Sequence, residues 1–324
     1  MSLDPGVRAL LDALEQLDRP PMSSGTPDQA RAAFRQLTVD IRQPSMIIPV
    51  AEVEDLTIPG PAGLIRARSY QPGTDDDPLP TVVFFHGGGF VIGDLDTHDN
   101  QARRLCRDAN AVVVSVDYRR APEHPWPAGV DDAFAAIRWV ADNIDRFGGD
   151  VDRLAVAGDS AGGNFTAVVT QLCRDLGGPA LRAQLLIYPA VDFAAGGERY
   201  PSRDEHAEGY FLTSDDMAWF GSHYIGGVVD GSPDPAIVSK LSDPRISPIY
   251  GELSGLPAAV VVTAEFDPLV DEGEAYARAL ADAGVPVTAI RFDGLIHGFF
   301  DMAALSPACA EAADRTCREF ARLL

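Results

Sequence analysis

Short apolar runs, bounded by glycine, proline or polar clusters, recur near 52–58, 64–70, 81–85, 111–116, 153–157, 183–188, 258–263 and 286–292. Runs of this length read as strands, and those without alternation read as strands buried on both faces. Helical spacing appears between the later runs. It is clearest over 128–146, where Val130, Phe134, Ile137, Val140 and Ile144 fall on one stripe. Strand and helix in alternation predict an α/β fold, a mainly parallel eight-stranded sheet flanked by helices on both faces. The alternation runs to the C-terminus, so residues 1–324 read as one elaborated domain.

Two segments break this rhythm. Near the start, Val7, Leu10, Leu11, Leu14 and Leu17 form one apolar stripe and Ala30, Ala33, Phe34 and Leu37 a second, with a Pro/Ser/Gly stretch at 20–27 between them. Later, Phe193, Tyr200, Tyr210, Phe211, Trp219, Phe220 and Tyr224 put seven aromatics into 32 residues, against 8% for the chain. So many rings between two strands predict a segment that covers something apolar, against the plainer reading of an ordinarily packed helical insertion.

Charge narrows the partners. There are 48 Asp and Glu against 26 Lys and Arg, a net charge of −22. That argues against nucleic acid and against an anionic membrane surface. No run approaches the ~18–20 apolar residues of a membrane span. The acidic, amphipathic start lacks the pattern of a signal peptide. Cys106, Cys173, Cys309 and Cys317 show no C-x-x-C spacing and read as reduced, packed thiols. A cytoplasmic protein is expected.

Two glycine-rich turns carry the candidate chemistry. His86-Gly87-Gly88-Gly89-Phe90 follows the run at 81–85, and Gly158-Asp159-Ser160-Ala161-Gly162 follows the run at 153–157. G-x-S-x-G between strand and helix makes a sharp turn that thrusts the serine out above the sheet. HGGG offers unobstructed N–H groups to a developing oxyanion. A phosphate nest is the competing use, but no G-x-x-x-x-G-K-[ST] pattern exists and Lys240 is the sole lysine.

A triad in this architecture follows the order Ser, acid, His. Downstream of Ser160, Asp267 precedes Pro268, which holds it in an extended turn at a strand end. Its competitors are Glu265, too early on the strand, and Asp271 and Glu272, whose simpler role is to complement a helix dipole. Of the six histidines only His297 lies beyond the acid, in a loop with Gly294 and Gly298. His86 belongs to the glycine turn, where a structural hydrogen bond is expected. His98, His206 and His223 read as exposed or cap residues, and His124 sits in a Pro-rich turn.

These residues resemble the hormone-sensitive-lipase-like (bacterial family IV) esterases of the α/β-hydrolase superfamily. The resemblance runs through HGGGFVIGDLDTHD from 86, VDYRRAPEHPWPAGVDDA from 116, RLAVAGDSAGGN from 153, SGLPAAVVVTAEFDPLVDEGEAYA from 254 and IHGF from 296. Arg120 departs from it, standing where leucine is usual. The resemblance implies a carboxylesterase acting on short- to medium-chain, neutral esters through an acyl-enzyme, with no metal or organic cofactor. It implies nucleophile Ser160, acid Asp267 and base His297, with oxyanion donors at Gly87, Gly88 and Ala161. A cap from about 1–45 and about 193–245 is expected over a pocket that includes Phe90, Asp159, Tyr188, Tyr210, Phe211 and Trp219. The last strand resembles an edge used for homodimers, against a monomer. The same scaffold also hosts amidases and arylacetamide-type deacylases, dehydratases, interfacial lipases and non-catalytic small-ligand receptors; a receptor is expected to have a broken triad.

Overall fold

The computed structural model describes residues 2–17, 20–74, 78–226, 228–229, 232–233 and 235–324. The apolar runs become eight strands: β1 (Glu52–Gly60), β2 (Gly63–Gln71), β3 (Leu79–Phe85), β4 (Val112–Asp117), β5 (Gly149–Asp159), β6 (Ala183–Ile187), β7 (Ala258–Phe266) and β8 (Val287–Ile296). They form one sheet in the order β1-β2-β4-β3-β5-β6-β7-β8. β1 and β2 are an antiparallel hairpin, β2 runs antiparallel to β4, and the remaining pairs are parallel. This is the α/β-hydrolase fold, with the mainly parallel sheet expected from the sequence.

Burial explains why these runs are strands. Every residue of β3 and of β6 is buried, as a parallel strand covered on both faces requires. Along β3, Val82 and Phe84 enter one core while Val83 and Phe85 enter the other. Each such side chain contributes about 1.5–3 kcal/mol of transfer free energy. β5 starts at Gly149, four residues before its apolar run, because Gly149 pairs with Leu79 across a register shift.

The helices are α1 (Pro5–Glu15), α2 (Pro27–Arg35), α3 (Asp99–Ala109), α4 (Ala128–Asp142), α5 (Ala161–Asp175), α6 (Ser202–Glu205), α7 (Ser214–Ile225), α8 (Pro235–Val238), α9 (Val270–Asp282) and α10 (Pro307–Ala321). α3 and α10 cover one face, and α4, α5 and α9 the other. The stripe expected over 128–146 ends as helix at Asp142, and Ile144 packs from a separate 3₁₀ turn over Ile144–Phe147. Proline and a capping box set the start of α2: Thr26 Oγ1 accepts from the Gln29 N–H, and Gln29 Oε1 from the Thr26 N–H. α1 inserts Val7 into the core under α10 and is tied down where the Asp4 N–H donates to the Gly294 carbonyl. Its stripe fades outward, leaving Leu17 exposed.

The strand order sets the site. β3 and β5 lie side by side near the centre, Phe85 opposite Gly158, so both glycine-rich turns leave the same end of the sheet together. The loops after β7 and β8 leave that end too, carrying Asp267 and His297.

Candidate active site

Ser160 joins β5 to α5 with φ +54° and ψ −116°, a conformation that side chains rarely adopt. The glycines on either side make the turn possible. A Cβ on Gly158 would strike the Gly162 carbonyl, and one on Gly162 the carbonyls of Phe85 and His86. Donation from the Ser160 N–H to the Ile187 carbonyl at 2.9 Å anchors the turn to β6.

The three residues singled out by order along the chain meet in space. His297 Nε2 lies 3.0 Å from Ser160 Oγ, and His297 Nδ1 lies 2.7 Å from Asp267 Oδ2. A buried carboxylate accepts from Nδ1–H, which leaves Nε2 free to accept the serine proton. Asp267 is fully buried, and its other oxygen accepts from the Leu269 N–H at 2.8 Å. Glu265 is elsewhere engaged, accepting from the Gly294 N–H at 2.7 Å.

The glycine turn corrects one expectation. The Gly87 N–H donates to Asp159 Oδ1 at 2.8 Å, so it cannot serve an oxyanion. Gly88, Gly89 and Ala161 line the cavity at Ser160 instead, and among the described residues none of their N–H groups has an acceptor. His86 takes the structural role expected of it: Nδ1–H donates to the Gly87 carbonyl at 2.8 Å, and the ring stacks on Tyr118.

Burial pushes the Asp159 carboxyl up to about 7, with the Gly87 N–H pulling the other way. His98 is half as expected: it stands at the N-cap of α3, yet not at the surface, being 3% exposed with Nε2 3.9 Å from Asp159 Oδ2, and burial drives it down to about 4. It is neutral near pH 7 and gives Asp159 no full countercharge.

A cavity of about 620 Å³ opens over Ser160, with mainly apolar walls. Of the pocket residues expected from the sequence, Phe90, Asp159 and Phe211 are on its wall. Tyr188, Tyr210 and Trp219 are not. Tyr188 is buried against the far side of His297 and Phe299, Tyr210 stacks on Phe266, and Trp219 packs on Phe220 and His223. The wall draws Met22 and Phe34 from the first 45 residues, and Phe193, Phe211, Met217, Phe220 and Leu241 from the later segment. α1 adds nothing to it.

Glu272 lies in the first turn of α9, as expected, but it is 1% exposed and does more than complement the helix dipole. Oε1 accepts from the Val191 N–H at 2.8 Å, and Oε2 accepts from Arg203 Nε at 3.0 Å. Beside it, the Ser202 N–H donates to Asp271 Oδ2 at 2.8 Å, and Ser202 Oγ donates to the Pro268 carbonyl at 2.9 Å. α6 is thereby latched onto the loop that carries Asp267. The sequence reading missed Ser202 and Arg203, which lie in a charged stretch with the pattern of any solvated helix. Among the described residues no cluster of three His, Cys, Asp or Glu could hold a metal ion.

A family model described as the α/β hydrolase fold matches residues 82–301. A carboxylesterase, NlhH, of Mycobacterium tuberculosis is 43% identical over 99% of this chain and 96% of its own. The carboxylic ester hydrolase LipN of the same organism is 48% identical over 80% of this chain and 67% of its own. Among solved structures, a hyperthermophilic esterase from the archaeon Pyrobaculum calidifontis superposes with a TM-score of 0.90 at 43% identity, covering 100% of this chain and 99% of that one. An ester hydrolase from the Lake Arreo metagenome, EH1AB1, complexed with a bipyridine phosphonate derivative, gives 0.90 at 41% identity, over 99% of this chain and 98% of that one.

Proposed function

We propose, from the premise that this chain belongs to the hormone-sensitive-lipase-like carboxylesterases of the α/β-hydrolase fold, that it hydrolyses short- to medium-chain neutral esters through Ser160, His297 and Asp267. The observation that carries this reading is the unbroken chain from Ser160 Oγ to His297 at 3.0 Å and on to Asp267 at 2.7 Å. Ser160 Oγ attacks the ester carbonyl as His297 Nε2 takes its proton, because an unassisted hydroxyl is a weak nucleophile. Buried Asp267 holds the imidazole in the required tautomer and stabilises the imidazolium. The carbonyl π pair moves onto oxygen, where the N–H groups of Gly88, Gly89 and Ala161 receive it. His297 then gives its proton to the departing alcohol oxygen, and water, activated by the same imidazole, releases the acid from the acyl-enzyme.

The mainly apolar wall of the 620 Å³ cavity suits uncharged acyl and alcohol groups. We assign the cap to the segments carrying Met22 and Phe34 and the residues from Phe193 to Leu241. Among the described residues β8 has a partner on one side only, β7, and its other edge suits a homodimer, which sedimentation distinguishes from a monomer of 34.6 kDa. No helix among the described residues is long and apolar enough to cross a membrane. The four buried, unpaired thiols suit a reducing compartment such as the cytoplasm.

The test is a series of p-nitrophenyl esters of rising acyl length, run beside Ser160→Ala. The expected result is turnover of short chains, falling as the acyl group outgrows the cavity, and a loss of about 10⁴-fold or more in the variant. A folded wild type inactive across the series would overturn the reading and leave a ligand receptor on the same scaffold.

A further inference from the structure

The turn that bears the Gly88 and Gly89 N–H groups is an unusual piece of backbone. Gly88, Gly89 and Phe90 have φ of +110°, +57° and +65° in succession. Glycine adopts such angles freely, but Phe90 does not. Contacts in and around the turn must hold residue 90 there, because its own backbone preference favours leaving.

Backbone hydrogen bonds close the turn around residues 89 and 90 and share in holding it. The N–H groups of Val91 and Ile92 both donate to the Gly88 carbonyl, and the Ala121 N–H donates to the Phe90 carbonyl. The ring of Phe90, 3% exposed, makes the more distinctive contact. It lies face to face with Tyr224, centroids 3.6 Å apart and planes 7° from parallel, while Phe165 meets it edge-on at 5.2 Å. Phe165 belongs to α5, the helix that starts at the nucleophile. Tyr224 belongs to α7, within the segment assigned to the cap.

One helical turn before Tyr224, Phe220 occupies the space beside Gly89 so closely that a Cβ there would clash with its ring. Residues four apart share one helix face, so α7 lays two rings on two consecutive residues of the turn. The helix is held in place from the other side, where the Trp126 N–H donates to the Tyr224 carbonyl at 2.7 Å. The Tyr224 hydroxyl is buried and has no partner among the described residues. Its ring, not its oxygen, makes the contact.

We propose that Tyr224 is a positioning residue for the oxyanion donors: by stacking on Phe90 it holds the 88–90 turn in its left-handed form and aims the Gly88 and Gly89 N–H groups at the developing oxyanion. The cap helix then does more than enclose substrate. Its seating sets how well the transition state is bound, while ground-state binding in the cavity is largely untouched. This inference rests on the serine-esterase reading above.

The experiment compares Tyr224→Leu, Tyr224→Phe and wild type on p-nitrophenyl butyrate, and measures the affinity of each for an alkyl trifluoromethyl ketone. Ser160 adds to that ketone to give a hemiketal oxyanion in the same turn, so its affinity reads the donors directly. Removing one whole donor typically costs about 10²–10³ in turnover, so a misaimed turn is expected to cost Tyr224→Leu about 10–100-fold in kcat. KM is expected to stay within about threefold, since substrate and transition state are affected unequally. Ketone affinity should fall in parallel with kcat/KM. Tyr224→Phe keeps the stacked ring and loses only an unpaired hydroxyl, so it should hold kcat within about twofold.

A Leu variant that changes KM or chain-length preference with kcat and ketone affinity intact would overturn the proposal and leave Tyr224 as packing. Equal loss in the Phe variant would overturn it too, pointing to the hydroxyl. Circular dichroism and a melting curve check the fold. Should Tyr224→Leu fail to fold, Tyr224→Met, which keeps the bulk without a flat ring and lies off the cavity wall, carries the same expectation. Wild-type inactivity on all esters would instead defeat the underlying esterase reading.

Discussion

Asp159 shows how one side chain can serve the site without touching substrate. Its Oδ1 accepts the Gly87 N–H, fixing the start of the glycine turn, and burial holds its carboxyl at about 7, far above the ordinary carboxylate range. Between the unfolded value near 4 and the folded value near 7, the folded protein binds the extra proton. Stability must therefore fall as pH rises through that window and level off above it. Asn keeps an acceptor for Gly87 and removes the charge. Asp159→Asn is accordingly expected to melt higher than wild type at pH 8, with the advantage shrinking toward pH 5, in parallel thermal-shift measurements. An advantage independent of pH would mean that Asp159 does not titrate in this window. The residues around it also show where the sequence stops being readable. Three adjacent glycines look alike, and only the folded turn turns Gly87 toward Asp159 while Gly88 and Gly89 face the cavity. His98 gives no more sign of being buried beside a carboxylate than Tyr188 gives of lying behind the imidazole.

Elements outside the sheet assemble the site from two directions. From the N-terminal side, Arg31 on α2 donates through Nε to the Val91 carbonyl at 2.9 Å and through Nη2 to the Ala121 carbonyl at 2.9 Å, and it grips Glu123 with two bonds of 2.7 Å. Arg35 adds a bond to Asp96 at 3.1 Å. Arg120, the departure noted in the sequence, donates to the Gly93 carbonyl, bracing the same loop from the core side. Deleting the first 40 residues therefore removes two arginines that hold the loop after the oxyanion turn, beyond opening the cavity at Met22 and Phe34. The expected result is a loss of kcat on the shortest esters, which barely need the pocket. A truncation ending before Pro27 should keep most of it. A folded 40-residue deletion with the full-length activity profile would sink this account. The central strands are legible because a doubly buried parallel strand is apolar throughout, the outer ones by their half-buried alternation, and the elbow because its glycines are a steric necessity. The loop braces are not. Arginines at Arg31 and Arg203 read like any surface charge, and the count of aromatics between 193 and 224 says that something is covered without saying which rings face it.

At the scale of the whole molecule, a charge of −22 surrounds a cavity whose own wall carries, among the described residues, Asp159, Asp192, Asp216 and Glu272 against the single guanidinium of Arg203. Arg203 is spent on Glu272, and Asp192 is tied to Arg199, Tyr200 and Tyr250. What remains on the wall is Asp216 and an Asp159 carboxyl partly protonated near pH 7, a modest negative potential added to that of the surface. Binding a neutral ester costs nothing against this field. An ester bearing a remote carboxylate must bring its charge in, and the carboxylate product of every turnover is pushed out. Matched p-nitrophenyl butyrate and p-nitrophenyl hemisuccinate are close in size and differ in that charge, so the neutral ester is expected to lead in kcat/KM by at least about tenfold at low ionic strength. Salt separates two sources of that gap. The diffuse field of surface carboxylates is screened over about 8 Å at physiological ionic strength and shrinks further at 0.5 M, whereas desolvation inside the cavity is barely screened. The gap should therefore narrow with salt without closing. A gap unchanged between about 20 mM and 0.5 M salt would assign the whole preference to the cavity wall, and would leave the protein's large negative charge no part in choosing its substrate.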